Sequence, residues 1–246
     1  MSLSLMSHKP SQQGFTLVEL AIVMVIIGLL IGGVLKGQEL IAGAKISSTV
    51  TQLKNIDASL NNFYNKYAAY PGDMQTPNTR LPSCTTAPCS TAGDGDSRIE
   101  ATGAVFANPL AATEAYRMFV QLSAADMFSG VNAAGGATAW GGVFPTASVG
   151  GGLWVSYATA VPVGTTAVVN RHYAVLAGVP NGAATVANGA LTGVVAAQID
   201  RKIDDSRPLT GAAQTIGTTC ATGAGAAAVY NELGAGTCTM VSRVLN

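Results

Sequence analysis

The chain opens on a polar stretch, Met1 to Gly14, and then turns apolar for 21 residues from Phe15 to Leu35, FTLVELAIVMVIIGLLIGGVL. Glu19 is the single charge in that run. As a helix the run rises about 30 Å, the thickness of a bilayer's hydrocarbon core. Beyond Lys36 the pattern changes. Ile46, Val50, Leu53, Ile56, Leu60, Phe63 and Tyr67 recur at steps of three and four, while Ser47, Thr51, Lys54, Asn55, Asp57 and Asn61 take the other faces. That spacing predicts a helix with one apolar side. No proline lies between Pro10 and Pro71, so one helix is expected from Phe15 to about Tyr67, roughly 80 Å long. Its first half suits lipid or a filament core, and its second half needs a partner sheet. Tyr70-Pro71-Gly72-Asp73 ends it, because Pro71 disfavours helical backbone at Tyr70. A coiled coil over residues 46–67 is the weaker reading, since the stripe spans only about three heptads.

The remainder reads as short elements. Residues 74–109, with Pro77, Pro82, Pro88 and Pro109, form a loop. Thr113 to Phe128 reads as a helix capped by Thr113 and ended by Gly130, with Tyr116, Phe119, Val120 and Met127 on its apolar face. Residues 131–152 are Gly/Ala-rich loop. Leu153–Val161 and Ala167–Ala177 alternate and are joined by Pro162-Val163-Gly164-Thr165, the best hairpin in the chain. Residues 190–203 form another amphipathic helix, with Leu191, Val194, Val195, Ile199 and Ile203 on one side. The C-terminal segment holding Cys220 and Cys238 reads as a loop of weak structure.

Composition narrows the function. Lys and Arg number 13 against 13 Asp and Glu, and charged residues are only 11%. That balance excludes a basic footprint for nucleic acid and a charge-driven disordered chain. It suits a protein that packs against copies of itself, where self-repulsion is minimal. The four cysteines, Cys84, Cys89, Cys220 and Cys238, contain no C-x-x-C, and two local pairs read as two disulfides in an oxidising compartment. Four cysteines allow three connectivities; proximity favours Cys84–Cys89 and Cys220–Cys238. With only His8 and His172, a hydrolytic or zinc centre would have to run through His172, which reads instead as a half-exposed strand residue. No nucleophile–base pair, phosphate-cradling glycine loop or metal cluster stands out, so the chain is read as a non-enzyme without cofactor. Gly93-Asp94-Gly95-Asp96-Ser97-Arg98-Ile99-Glu100 spaces carboxylates as calcium loops do, but Arg98 stands where a third oxygen ligand belongs. Asp94 and Asp96 therefore read as solvated turn residues. Trp140 and Trp154 are isolated in sequence.

Two ordinary readings of the N-terminus fit poorly. A secretory signal would use Ala42-Gly43-Ala44 as its cleavage site, but the apolar run is too long and Lys36 and Glu39 intervene. A plain membrane anchor leaves Glu19 unexplained, since a carboxylate within a span is costly. Lys9-Pro10-Ser11-Gln12-Gln13-Gly14-Phe15-Thr16-Leu17-Val18-Glu19 resembles the processing motif of type IV prepilins and the pseudopilins of type II secretion. The resemblance covers about the first 60 residues.

The resemblance implies that a prepilin peptidase cuts between Gly14 and Phe15 and N-methylates Phe15. Removing 14 of 246 residues leaves 232. It also implies that Glu19 meets the Phe15 ammonium of a neighbouring subunit and so sets axial register, because a buried carboxylate is costly unless paired. Many major pilins carry a proline where Lys36 stands; Gly28, Gly32, Gly33 and Gly37 are the alternative source of helix flexibility. Many pilins also close a variable C-terminal loop with a disulfide such as Cys220–Cys238, and some pseudopilins hold calcium in the globular domain.

The expected fold is α+β. A leader (1–14) precedes an N-terminal helix (15–70, its residues 15–35 membrane-spanning and its second half amphipathic), packed on a globular pilin-like domain (71–246) with a small antiparallel sheet and short helices. The expected function is a structural pilus or pseudopilus subunit, tilted toward a minor one by size. The expected partners are other pilin-like subunits, the prepilin peptidase, the assembly platform and inner-membrane lipid, with the globular part in the periplasm and then on a pilus or the cell surface. The competing reading is a membrane-anchored adhesin that uses the pilin-like segment for delivery; it calls for a contiguous exposed aromatic patch.

Overall fold

The computed structural model describes residues 14–101, 113–132, 140–158, 170–178, 189–216, 219–234 and 236–245. The chain divides into two compact units with the boundary after Gly43. The long helix α1 (Leu17–Tyr67) runs through that boundary. Within the first unit its apolar side chains, from Leu17 to Ile41, are exposed.

In the second unit the predicted stripe is the buried one: Ile46, Val50, Leu53, Ile56, Leu60 and Phe63 enter the core, with Tyr67 packed at its edge. The helix stops at Tyr67, and Ala68 takes a left-handed conformation (φ 47°). Gly72 follows at φ 91°, and a Cβ there would run into the Glu114 backbone, so the turn requires glycine.

Among the described residues the main sheet has five strands: β1 (Gly152–Ala158), β2 (Arg171–Ala177), β3 (Leu191–Thr192), β4 (Ala213–Ile216) and, numbered after two short strands, β7 (Thr237–Val244). The short strands β5 (Ala221–Thr222) and β6 (Val229–Tyr230) pair separately. All pairings are antiparallel. The predicted hairpin is present as β1 and β2, with Trp154 opposite Val175 and Tyr157 opposite His172; its connection lies outside the described residues. β7 is central, with β2 along one edge and β3 and β4 along the other. The C-terminal loop expected from sequence is therefore corrected. Residues 237–244 are the strand to which three others are tied, and residues 221–230 contain a two-stranded ladder.

Three shorter elements complete the unit: α2 (Pro77–Arg80), α3 (Glu114–Ala124) and α4 (Gly193–Ile203). The Thr113 side chain caps α3 by accepting from the Tyr116 amide, as predicted. Its end comes at Ala124, not Phe128, because Asp126 turns left-handed (φ 57°) while the Met127 amide closes on the Leu122 carbonyl. α4 begins later than expected, since Leu191 and Thr192 pair with β7 before the Thr192 hydroxyl caps the helix. Its buried face is Ala196, Ala197, Ile199 and Asp200, while Val194 is exposed. Small residues let this helix lie close to β4, β6 and β7, which the larger side chains would prevent. Trp140 and Trp154, distant in sequence, stack with centroids 5.9 Å apart, and the Trp140 indole donates to the Gly178 carbonyl.

Candidate processing and assembly site

The N-terminal segment is built around two residues. Thr16 immediately precedes the first helical residue, and its amide and hydroxyl both donate to Glu19 Oε2 at 2.9 Å. In return the Glu19 amide donates to Thr16 Oγ1 at 3.3 Å. This is a reciprocal capping box, and it places a carboxylate where the helix's first amides and positive dipole end favour it. Gly14 and Phe15 lie just outside the helix in non-helical backbone, exposed, and a Cβ at Gly14 would meet nothing nearby. A narrow residue there is therefore not demanded by the fold, and any requirement for glycine comes from outside this chain. The following helix is long and apolar enough to cross a membrane, with a mean hydropathy of 2.7 over its best window. Lys36 and Glu39 pair at 2.7 Å on its exposed surface.

Residues 9–35 match a family model described as the prokaryotic N-terminal methylation motif. The chain carries the type IV pilin and pseudopilin signature. Proteins with this motif are structural rather than enzymatic, and the motif together with the apolar helix points to a membrane-anchored, processed subunit. No curated protein and no solved structure matches the chain.

The other residues singled out from sequence fall in two places. Cys84 pairs with Cys89 and Cys220 with Cys238, with Cα separations of 5.2 and 5.7 Å. The first loop is held to α3 by buried Gln121, whose Nε2 donates to the Cys89 carbonyl (3.1 Å) and whose Oε1 accepts from the Gly72 amide (2.6 Å). Asp94 and Asp96 are exposed and receive the amides of Asp96 and Arg98, respectively, as turn residues do. Their segment wraps two buried carboxyls that sequence reasoning passed over. Asp73 accepts from the Gly95 and Ser97 amides (2.6 and 2.9 Å), and Glu114 accepts from those of Asp94 and Glu100 (3.3 and 3.1 Å). Burial outweighs those amides and pushes Asp73 up to about 6 and Glu114 up to about 7.

His172 requires correction. It is buried, not half-exposed, because the β1–β2 hairpin is covered on both faces. Its Nε2 accepts from the Ile99 amide at 3.1 Å, and its ring lies against Tyr70 and Tyr157, each 5.1 Å away between centroids. Burial lowers its pKa to about 4, so it is a neutral acceptor that anchors the wrapping segment. Period-two alternation pointed to exposure of one strand face; the second covering layer comes from residues far away in sequence.

The T-x-x-E pattern of Thr16 and Glu19 was the available signal for the cap. Nothing local marks Gln121, whose two partners lie 49 and 32 residues away.

Proposed function

We propose that the chain is a structural subunit of a type IV pilus or pseudopilus, in a minor rather than a bulk role. The prepilin peptidase cuts between Gly14 and Phe15 and methylates the new Phe15 amine. The exposed apolar half of α1 then holds the subunit in the inner membrane, with the disulfide-bearing unit in the periplasm, until the assembly platform moves it into a filament. The carrying observation is the methylation motif at the head of an apolar helix whose side chains find no cover within the described chain. Surface of that kind is covered by lipid or by copies of the same helix.

The chemistry asked of Glu19 follows from its position. In an apolar bundle its carboxylate needs a positive partner, and the amine freed at Phe15 of a neighbour supplies one at a single stagger. Trp154 is buried in the core and the half-buried Trp140 stacks on it, so these two aromatics give no support to the adhesin reading. Mass spectrometry of the native protein tests the proposal: the expected N-terminus is Phe15 bearing one methyl group, and a terminus after Ala44 would refute it. Shearing the cells should release the chain in trace amounts beside a more abundant subunit.

A further inference from the structure

Residues 94–100 form no helix or strand, yet every backbone amide in them donates to an ionisable side chain. Glu114 accepts from Asp94 and Glu100, Asp73 from Gly95 and Ser97, Asp94 from Asp96, Asp96 from Arg98, and His172 from Ile99. The carbonyl acceptors of a strand ladder do not titrate; all of these acceptors do. Three carbonyls tie the same segment to the fold. That of Asp94 accepts from the Gln75 side chain (2.9 Å), that of Ile99 from the Tyr157 amide (2.8 Å) and that of Glu100 from the Ala115 amide (3.2 Å). The segment is a strap laid along the outer edge of β1, with the fully buried Ile99 as its fastening.

The charges beneath the strap are mostly of one sign. Asp73 and Glu114 are buried, and one oxygen each from Asp73, Asp94 and Asp96 lies within 4.8 Å of the others. Arg117 faces Glu114 at 3.6 Å, while Arg98 pairs with Asp96 (3.6 Å) and Glu100 (3.9 Å) on the exposed side. Burial among like charges favours the neutral carboxyl, and a proton on Asp73 can be shared with Asp94. Closing the strap therefore takes up protons at Asp73 and Glu114, which burial raises to about 6 and about 7. What they contribute to closure is complete below the ordinary carboxylate range and is lost as pH rises through those values. His172 acts in the opposite sense. Burial lowers it to about 4, so its contribution is lost as pH falls from 6.5. Two raised carboxyls outweigh one lowered imidazole, so the strap binds protons on closing.

We propose that residues 94–100 are a proton-operated strap over the β1 edge, held closed in mildly acidic surroundings and loosened as pH rises past neutrality. Opening frees the Tyr157 amide and uncovers His172 with the rings of Tyr70 and Tyr157 against it. Among the described residues β1 is the outermost strand of its sheet, so opening bares the Tyr157 end of its edge. A bared edge of that kind is a place where another strand can add. The strap lies within the second unit, and its opening is independent of whether the chain enters a filament.

Hydrogen exchange of the full chain in detergent micelles, read by mass spectrometry and corrected for the intrinsic pH dependence of exchange, tests this. The opening constant of residues 94–100 should be about tenfold larger at pH 8 than at pH 5.5, the net of two carboxyls and one histidine. The strap should also exchange at least about tenfold faster than the β2–β7 ladder at both pH values, as a local opening does. Glu114→Gln keeps one acceptor and cannot ionise, so it should remove the pH difference or reverse it. Asp73→Asn, which leaves Glu114 in place, should shrink the difference to about threefold. Wild-type opening that is equal at the two pH values, a full tenfold difference kept by either variant, or strap and ladder exchanging together would overturn the proposal.

Discussion

Thr16 and Glu19 satisfy each other at the head of α1, the threonine amide and hydroxyl donating to the carboxylate and the glutamate amide donating to the hydroxyl. Glu19 thus has a local role before any neighbour arrives, and the two roles separate by substitution. Glu19→Gln keeps an acceptor for the Thr16 amide but removes the charge. If the carboxylate pairs with a neighbour's Phe15 amine, Glu19→Gln should be processed and inserted normally yet incorporate as poorly as Glu19→Ala. Quantifying each variant in sheared filaments decides this; normal incorporation of Glu19→Gln would leave Glu19 as a cap alone.

Gly14 has open space around its Cα. Gly14→Ala should therefore fold unchanged; if a prepilin peptidase cuts after Gly14 as proposed, the change should slow cleavage and a bulky replacement should block it, because the peptidase would then have to fit the backbone beside Phe15. The ratio of precursor to mature chain on a gel measures the effect. Equal processing of glycine and a bulky residue would place the cut elsewhere.

Buried Gln121 joins the turn at Gly72 to the Cys89 carbonyl. Gln121→Leu leaves a backbone amide and a carbonyl unpaired and should cost about 1–3 kcal/mol for each. Gln121→Glu retains the acceptor for the Gly72 amide but sets a buried carboxyl against the Cys89 carbonyl, and should be at least as destabilising at neutral pH and recover as the carboxyl is protonated. Denaturant midpoints of the two variants give the comparison, with helix signal from α1 retained in both.

His172 titrates in an unusual range. Its folded pKa lies near 4, below the ordinary 6.5, because burial disfavours the charged ring. Between those values the unfolded chain binds the extra proton, so this residue's contribution to stability is lost as pH falls from about 6.5 to 4. Protonation also removes the acceptor for the Ile99 amide. The ring resonances of His172, followed by NMR, should move near pH 4; a midpoint near 6.5 would show that the ring is solvated.

The loop closed by Cys220 and Cys238 spans 18 positions, for which chain entropy predicts about 3 kcal/mol from the crosslink. Cys238 lies on β7, which β2 and β4 also hold. Cys220→Ser should therefore expose residues 219–234 to protease while the sheet persists. Limited proteolysis with peptide mapping locates the cuts, and loss of the whole sheet would show that β7 depends on the disulfide.

Much of the fold was legible where the pattern is local. The 3.6-residue stripe from Ile46 to Phe63 is buried as read, Thr113 caps its helix, and the best hairpin in the chain is β1–β2. The C-terminal strand was missed although Thr237–Val244 is rich in Thr and Val, because it follows an Ala- and Gly-rich stretch and was read with it as one loop; its pairing with β2, β3 and β4 is what places it at the centre. The face expected for residues 190–203 held for Leu191, Val195, Ile199 and Ile203, but Val194 is exposed and the small residues Ala196 and Ala197, which allow close approach, are buried beside them.

By itself the sequence determined the features whose partners lie within a few residues or outside the chain: the methylation motif, the apolar run long enough for a bilayer and the helical stripe; the T-x-x-E pattern behind the Thr16 cap was local too, but went unread. Helical geometry and hydrophobic transfer act at that range and need no distant contact. The tertiary structure decided which polar groups are buried. Asp73, Glu114, Gln121, His172 and Asp200 are ordinary letters in the chain, and each became buried only when a segment tens of residues away closed over it. Dielectric environment and hydrogen-bond supply are properties of that closure, so the shifted pKa values were decided there.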